Sequence, residues 1–201
     1  MTYNIIAIRG NHLDEISSVF ECFKYTDLAK DETFDNSIDY NNYLFDNYLE
    51  FANREIALRG IWFENDWTII SDPEMTDLFK EEALLQLSNK LNSDVLTFII
   101  QTTSGSFGFS KYYKTKLRSF LSIDGDEMIN FNPPLAEEKD LNINEKIFID
   151  DILKLSNNLG IDIEGKNNNY FIAKQLAYNE ELKNELKFFH QIKARKAQKK
   201  T

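Results

Sequence analysis

The sequence predicts an α+β fold: an antiparallel sheet built of hairpins and a meander, helices packed on it, and a C-terminal helix. Three observations carry that expectation. Hairpin signals dominate over strand–helix–strand crossovers. The apolar period switches repeatedly between two and about 3.6 residues. Glycine and proline together number only ten, which suits tight turns rather than long linkers.

Tyr3 to Ile8 is a short apolar run without helical spacing and reads as a strand buried on both faces. Leu13, Ile16, Val19, Phe20 and Phe23 then recur at three and four, a helix stripe with Asn11 as its N-cap. The acidic, polar stretch 26–37 reads as a loop. From Ser37 to Asn53 a second helix turns Tyr40, Leu44, Tyr48 and Phe51 or Ala52 inward, with Phe45 and Leu49 widening that face. Asn41, Asn42, Asp46 and Glu50 face water in this reading.

From Glu55 the period is two. Glu55 to Phe63 and Trp67 to Ser71 flank the turn-forming Glu64-Asn65-Asp66, a hairpin that Asp72-Pro73 stops. Asp77 to Leu91 is an amphipathic helix with Leu78, Ala83, Leu84, Leu87 and Leu91 inward. A meander follows: Asp94 to Thr103, Phe107 to Tyr113, Lys116 to Ile123 and Glu127 to Phe131, turning at Ser104-Gly105-Ser106 and at Asp124-Gly125. Pro133-Pro134 ends it. A helix opening at Asn142 or Asn144 runs through Asn158, with Gly160 at the C′ position. Residues 161–177 are ambiguous, with Tyr170 to Leu176 fitting a short strand or a helical turn, and the last helix runs from Glu180 to about Lys196 with Leu182, Leu186, Phe189 and Ile192.

Charge narrows the function. The chain has 33 acids against 23 bases, a net −10. Six bases (Lys187, Lys193, Arg195, Lys196, Lys199 and Lys200) fall within residues 187–201, which hold no acid. The expected organisation is one domain over residues 1–186, with 187–201 as the basic end of the C-terminal helix or tail, where cations suit the helix dipole. So acidic a body repels phosphate backbones and argues against nucleic acid as a partner. No run approaches the ~18–20 apolar residues of a membrane helix. The N-terminal residues lack a signal-peptide pattern. A cytoplasmic location is expected, and the lone Cys22 fits a reducing compartment.

Catalytic chemistry finds little material. There is no phosphate-binding loop and no dinucleotide fingerprint, so no cofactor is expected. One cysteine and two histidines leave no expected metal site. Ser17, Ser104 and Ser106 lack a nucleophile-elbow context, and His12 and His190 read as surface residues. Asp162 to Asn169 has the composition of a calcium loop without its register, and reads as a polar loop. Gly105-Ser106 followed by Asp124 and Asp126 suggests the metal carboxylates of a nucleotidyltransferase, though Gly125 between them favours a hairpin turn.

One tract stands out. Between Asp27 and Glu50 seven acids interleave with Phe34, Tyr40, Tyr43, Phe45 and Tyr48, good material for an interface with a basic protein. The competing reading is a helix with Tyr40, Leu44 and Tyr48 packed on the sheet and its acids in water.

The β half carries Gly60, Trp62, Trp67-Thr68-Ile69-Ile70 and Asp72, then Thr103 to Phe109, Arg118-Ser119-Phe120, Asp124-Gly125 and Pro133 to Glu138. Over about residues 56–138 this resembles bacterial immunity-type proteins of toxin–immunity systems. The resemblance implies a small cytoplasmic protein that binds and blocks one toxin without a cofactor. The residues nominated for that face are Asp35, Asp39, Tyr43, Asp46 and Glu50, with a basic toxin or effector as the partner. Two other readings stay open: an adaptor or self-associating scaffold using the C-terminal helix, and a metal-dependent nucleotidyltransferase-like enzyme using Asp124 and Asp126.

Overall fold

The computed structural model of the chain describes residues 2–139, 141 and 148–184. Strand β1 (Thr2–Arg9) is followed by a 3-10 turn at Leu13–Glu15, α1 (Ile16–Glu21), β2 (Tyr25–Phe34), α2 (Ser37–Ala52), β3 (Ile56–Glu64) and β4 (Trp67–Ser71). A 3-10 turn at Asp77–Phe79 leads into α3 (Glu81–Leu91), then β5 (Val95–Gln101), β6 (Ser106–Tyr113), β7 (Thr115–Ile123) and β8 (Asp126–Phe131). After a 3-10 turn at Ala136–Glu138 come α4 (Ile149–Asn158) and β9 (Phe171–Tyr178). The strands form one open nine-stranded sheet in the order β2-β9-β3-β4-β1-β5-β6-β7-β8. Every neighbouring pair is antiparallel.

Helices cover both faces, which is why β1, β3, β4 and β5 read as nearly unbroken apolar runs. On one face Tyr40 and Leu44 of α2 and Ile152 and Leu155 of α4 pack on Ile5, Leu58, Trp62, Ile69, Phe98 and Phe171. On the other, Ile16, Val19 and Phe20 of α1 and Ala83, Leu84 and Leu87 of α3 cover Ile6, Ile8, Ile61, Ile70, Val95 and Ile99. The alternation along β1 sends Ile5 and Ala7 to the first core and Ile6 and Ile8 to the second, the signature of a strand buried on both sides.

Two expectations are corrected and one open alternative is decided. The stretch 26–37 is not a loop for most of its length: Tyr25–Phe34 is edge strand β2, paired with β9. Its polarity is tolerated because it lies at the edge, and a bulge between Asp27 and Asp31, with Ala29 at φ 52°, breaks the alternation a strand would show. Residues 161–177 were open between strand and helix; Phe171–Tyr178 is a strand threaded between β2 and β3. The anticipated first helix splits into a 3-10 turn and the short α1, with Asn11 accepting from Leu13 N at 3.2 Å. Gly160 takes φ 76° just past α4, as a C′ glycine does.

Residues 180–184 are helical, and Leu182 joins the core on the α1 and α3 side. The rest of the predicted C-terminal helix, with Leu186, Phe189, Ile192 and the basic residues from Lys187 on, lies outside the described residues, as do Asn142 and Asn144. Among the described residues no helix is long and apolar enough to cross a membrane.

Candidate functional site

The acid–aromatic tract places its residues through α2. Asn36 caps the helix: extended at φ −149°, it accepts from Ile38 N at 3.1 Å and Asp39 N at 2.9 Å. Two side chains fix which way the helix faces, for Tyr40 is 1% exposed and Leu44 is fully buried. Gly60 on β3 makes room for them, since a Cβ there would fall 1.7 Å from Tyr40 Oη and 2.6 Å from a Leu44 methyl. Tyr40 then stacks on Phe171 with ring centroids 4.6 Å apart.

With that orientation set, Asp39, Tyr43, Asp46 and Glu50 recur at four, three and four residues and share one flank of α2. The stripe they form is about 16 Å long. Asp39, Asp46 and Glu50 are exposed, and exposed Asp35 precedes the cap. Asn36 Nδ2 donates to both Asp35 and Asp39 at 2.9 Å, and Glu50 pairs with Arg54 one turn on. Tyr43 differs from the other four. It is half-buried, its ring lies 5.2 Å from that of Phe34, and burial together with the Glu32 charge raises its hydroxyl pKa. Asp35 and Asp39 also line a shallow cleft of about 460 Å³ with Phe34 and the half-exposed ring of Tyr170.

The outward side of α2 holds Phe45 and Leu49, which the helical period predicts on its buried face. Phe45 and Leu49 do not widen the buried face; they are 41% and 63% exposed, and Ile38 is 71% exposed. The spacing of seven and four puts all three in one strip beside the acidic flank. The reason is the width of the contact: α2 lies over β3, β9 and β2 at one end of the sheet, and only the Tyr40–Leu44 side reaches it. Exposed apolar residues alternating with acids could have been found from the sequence only by knowing that width.

The other candidate chemistries resolve into supports. Asp124 and Gly125 form the β7–β8 turn with φ 52° and 84°, and Asp126 begins β8, all on the surface. Among the described residues no group of three His, Cys, Asp or Glu could hold a metal ion. His12 is engaged on both ring nitrogens, by Glu15 Oε1 at 2.7 Å and the Arg9 carbonyl at 2.9 Å. Cys22 is 4% exposed and burial pushes its thiol up, which suits an inert core residue; His190 lies outside the described residues.

A buried ionic cluster went unpredicted. Arg59 is fully buried; its Nε donates to Asp77 at 2.7 Å, and another guanidinium nitrogen lies 3.2 Å from both Asp72 and Glu74 and 2.9 Å from Tyr25 Oη. Burial pushes the Asp72 carboxyl up. It would push Asp77 up too, but Arg59 and Lys80 hold that one below the usual carboxylate range. The cluster ties β2, β3 and the segment before α3 together, and its charges are spent on one another. Arg118 does the same on the other face, bidentate to Glu138 with both main bonds at 3.0 Å.

Several residues that carry the immunity-type resemblance thus have structural tasks: Gly60 under α2, Asp72 beside Arg59, Arg118 with Glu138. An open antiparallel sheet with helices on both faces, and a helix whose outer surface pairs acids with exposed apolar side chains, define a mixed α/β protein with a candidate docking face. Comparisons with family models, curated proteins and solved structures found no match.

Proposed function

We propose that this chain is a non-enzymatic binding protein, an immunity protein that neutralises a basic toxin by covering it with the outer surface of α2. The observation that supports this reading is the pairing on one helix of exposed Asp39, Asp46 and Glu50 with exposed Ile38, Phe45 and Leu49. Isolated apolar residues on a surface need no explanation, but a strip of three bordered by one sign of charge is interface material. The acids steer a basic partner and set the association rate; the apolar strip, once desolvated, sets the residence time. The sequence resemblance over residues 56–138 supplies the partner class.

The test captures proteins from the cells that make this chain, using the tagged full chain, a D39N/D46N/E50Q variant and an F45A/L49A variant. The expected result is one stoichiometric basic protein held by the unaltered chain, weakened by either variant and by added salt. That protein should arrest growth when expressed alone and be silenced by co-expression with this chain. Equal capture by both variants would overturn α2 as the face; a captured partner with no toxicity would overturn the immunity reading.

A further inference from the structure

On the side of the sheet away from α2, a cavity of about 150 Å³ lies between the start of α3 and strand β8, over β5, β6 and β7. Its floor follows from strand register. Thr97 breaks the apolar run of β5; it lies opposite Ser110 of β6, which lies opposite Ser119 of β7. Neighbouring strands are about 4.8 Å apart, so these three hydroxyl residues stand in one row about 10 Å long. Val95 and Ile99 belong to the core under α1 and α3, and alternation turns Thr97 to that same side.

The row is buried and only partly satisfied. Ser110 and Ser119 pair with each other, their hydroxyl oxygens 2.9 Å apart. Thr97 is 5% exposed, and among the described residues its hydroxyl has no hydrogen-bond partner. A hydroxyl left in that state forgoes bonds it would make in water, and a ligand that supplies one recovers them. The walls are apolar: Leu78, Ile99 and Leu121, with the exposed side chains of Phe79 and Ile129 at the rim. The charged lining residues, Lys116 and Glu81, are 2.8 Å apart and neutralise each other, so an ionic ligand finds no free counter-charge.

We propose that this cavity binds a small uncharged aromatic alcohol of about the size of phenol, its ring among Phe79, Leu121 and Ile129 and its hydroxyl on Thr97. Size fits, because a cavity of about 150 Å³ with aliphatic and aromatic walls accepts a benzene-sized molecule. Chemistry fits as well: a threonine hydroxyl both donates and accepts, and another hydroxyl is its complement. Water would serve the floor but leave the walls without contacts. The site lies on the opposite face of the sheet from α2, so it stands apart from the toxin-binding reading.

The test titrates the full chain with phenol, with benzene and benzoate as comparison probes, and follows backbone amide signals together with calorimetry. Phenol should bind one-to-one with a dissociation constant of about 1 mM or below, and shift amides within residues 95–99, 107–112 and 117–121. Benzoate should bind at least about tenfold more weakly, because its charge would be buried without a partner. Thr97→Val keeps the shape and removes the hydroxyl; it should weaken phenol by up to about tenfold and leave benzene unchanged. Ile129→Trp changes an exposed residue and should block both probes by filling the rim, which keeps the site testable if the buried substitution disturbs folding. The dispersion of the same spectra reports that each variant is folded. No shifts with phenol overturn the site, as do shifts confined to another surface, the exposed strip of α2 included. Equal phenol affinity with and without the Thr97 hydroxyl overturns that contact, and benzoate binding as tightly as phenol overturns the ligand class.

Discussion

Arg59 shows how one side chain commits a whole corner of the molecule. Three carboxylates lie within 3.2 Å of its guanidinium, and none of the four groups is more than 8% exposed. A buried ion pair is not itself a large source of stability, but removing one partner strands the others in a medium that cannot solvate them. Arg59→Met should therefore cost about 3–5 kcal/mol, read by chemical denaturation at pH 7. The pH dependence has a definite sign. Without Arg59 the folded carboxylates titrate above the ordinary Asp value of about 3.9, so the folded state of the variant holds more protons than the unfolded one. Its deficit should be small at acid pH and grow as pH rises through the shifted range; a deficit independent of pH would show that lost packing, not stranded charge, carries the cost. No sequence pattern marks Arg59 or Arg118, because a polar residue at an alternate strand position reads as facing water.

The same logic governs β2 and α2 as elements. β2 is held at the edge by Lys174 of β9, whose Nζ lies 2.9 Å from both Asp27 and Asp31, bridging the bulge. Burial would raise Asp27, but hydrogen bonds from Ser17 and Lys174 hold its carboxyl below the usual range. A depressed carboxylate contributes stability that is present above the unfolded value of about 3.9 and lost as pH falls through the folded one. Amide protection across Tyr25–Phe34 should accordingly drop in acid before the central strands loosen, and Lys174→Met should produce the same fraying at pH 7. Uniform protection across the sheet in either experiment would refute this account of the edge. The acidity that made this stretch look like a loop is thus the feature that pairs it with β9, 143 residues away in sequence. For α2 the helical period and the Asn36 cap were legible, and so was the Tyr40–Leu44 face. Gly60 determines how closely that face approaches the sheet, so a Gly60→Ala substitution should displace α2 and lower stability by about 1–3 kcal/mol, measured by thermal unfolding. A fully stable variant would mean that Tyr40 has another place to go.

Across the molecule the charge is lopsided, with 33 acids against 17 bases in the first 186 residues and six bases with no acid in the remainder. Self-repulsion in such a body weakens the compact state, and salt screens it. The melting temperature should rise with added salt at pH 7 before levelling off, and D39N/D46N/E50Q should melt no lower than the unaltered chain; a melting temperature that falls with salt would place the important charges in attractive pairs instead. The sequence alone determined the class of fold, the two-sided burial of the central strand, the meander and its Asp124-Gly125 turn, and the positions of the acids, because these follow from local period and turn chemistry. Only the tertiary structure decided that β9 enters between β2 and β3, that two arginines are buried, and that Phe45 and Leu49 face outward. Each of those depends on which segments distant in the chain come to lie against one another, and local pattern carries no record of how wide a neighbour will be.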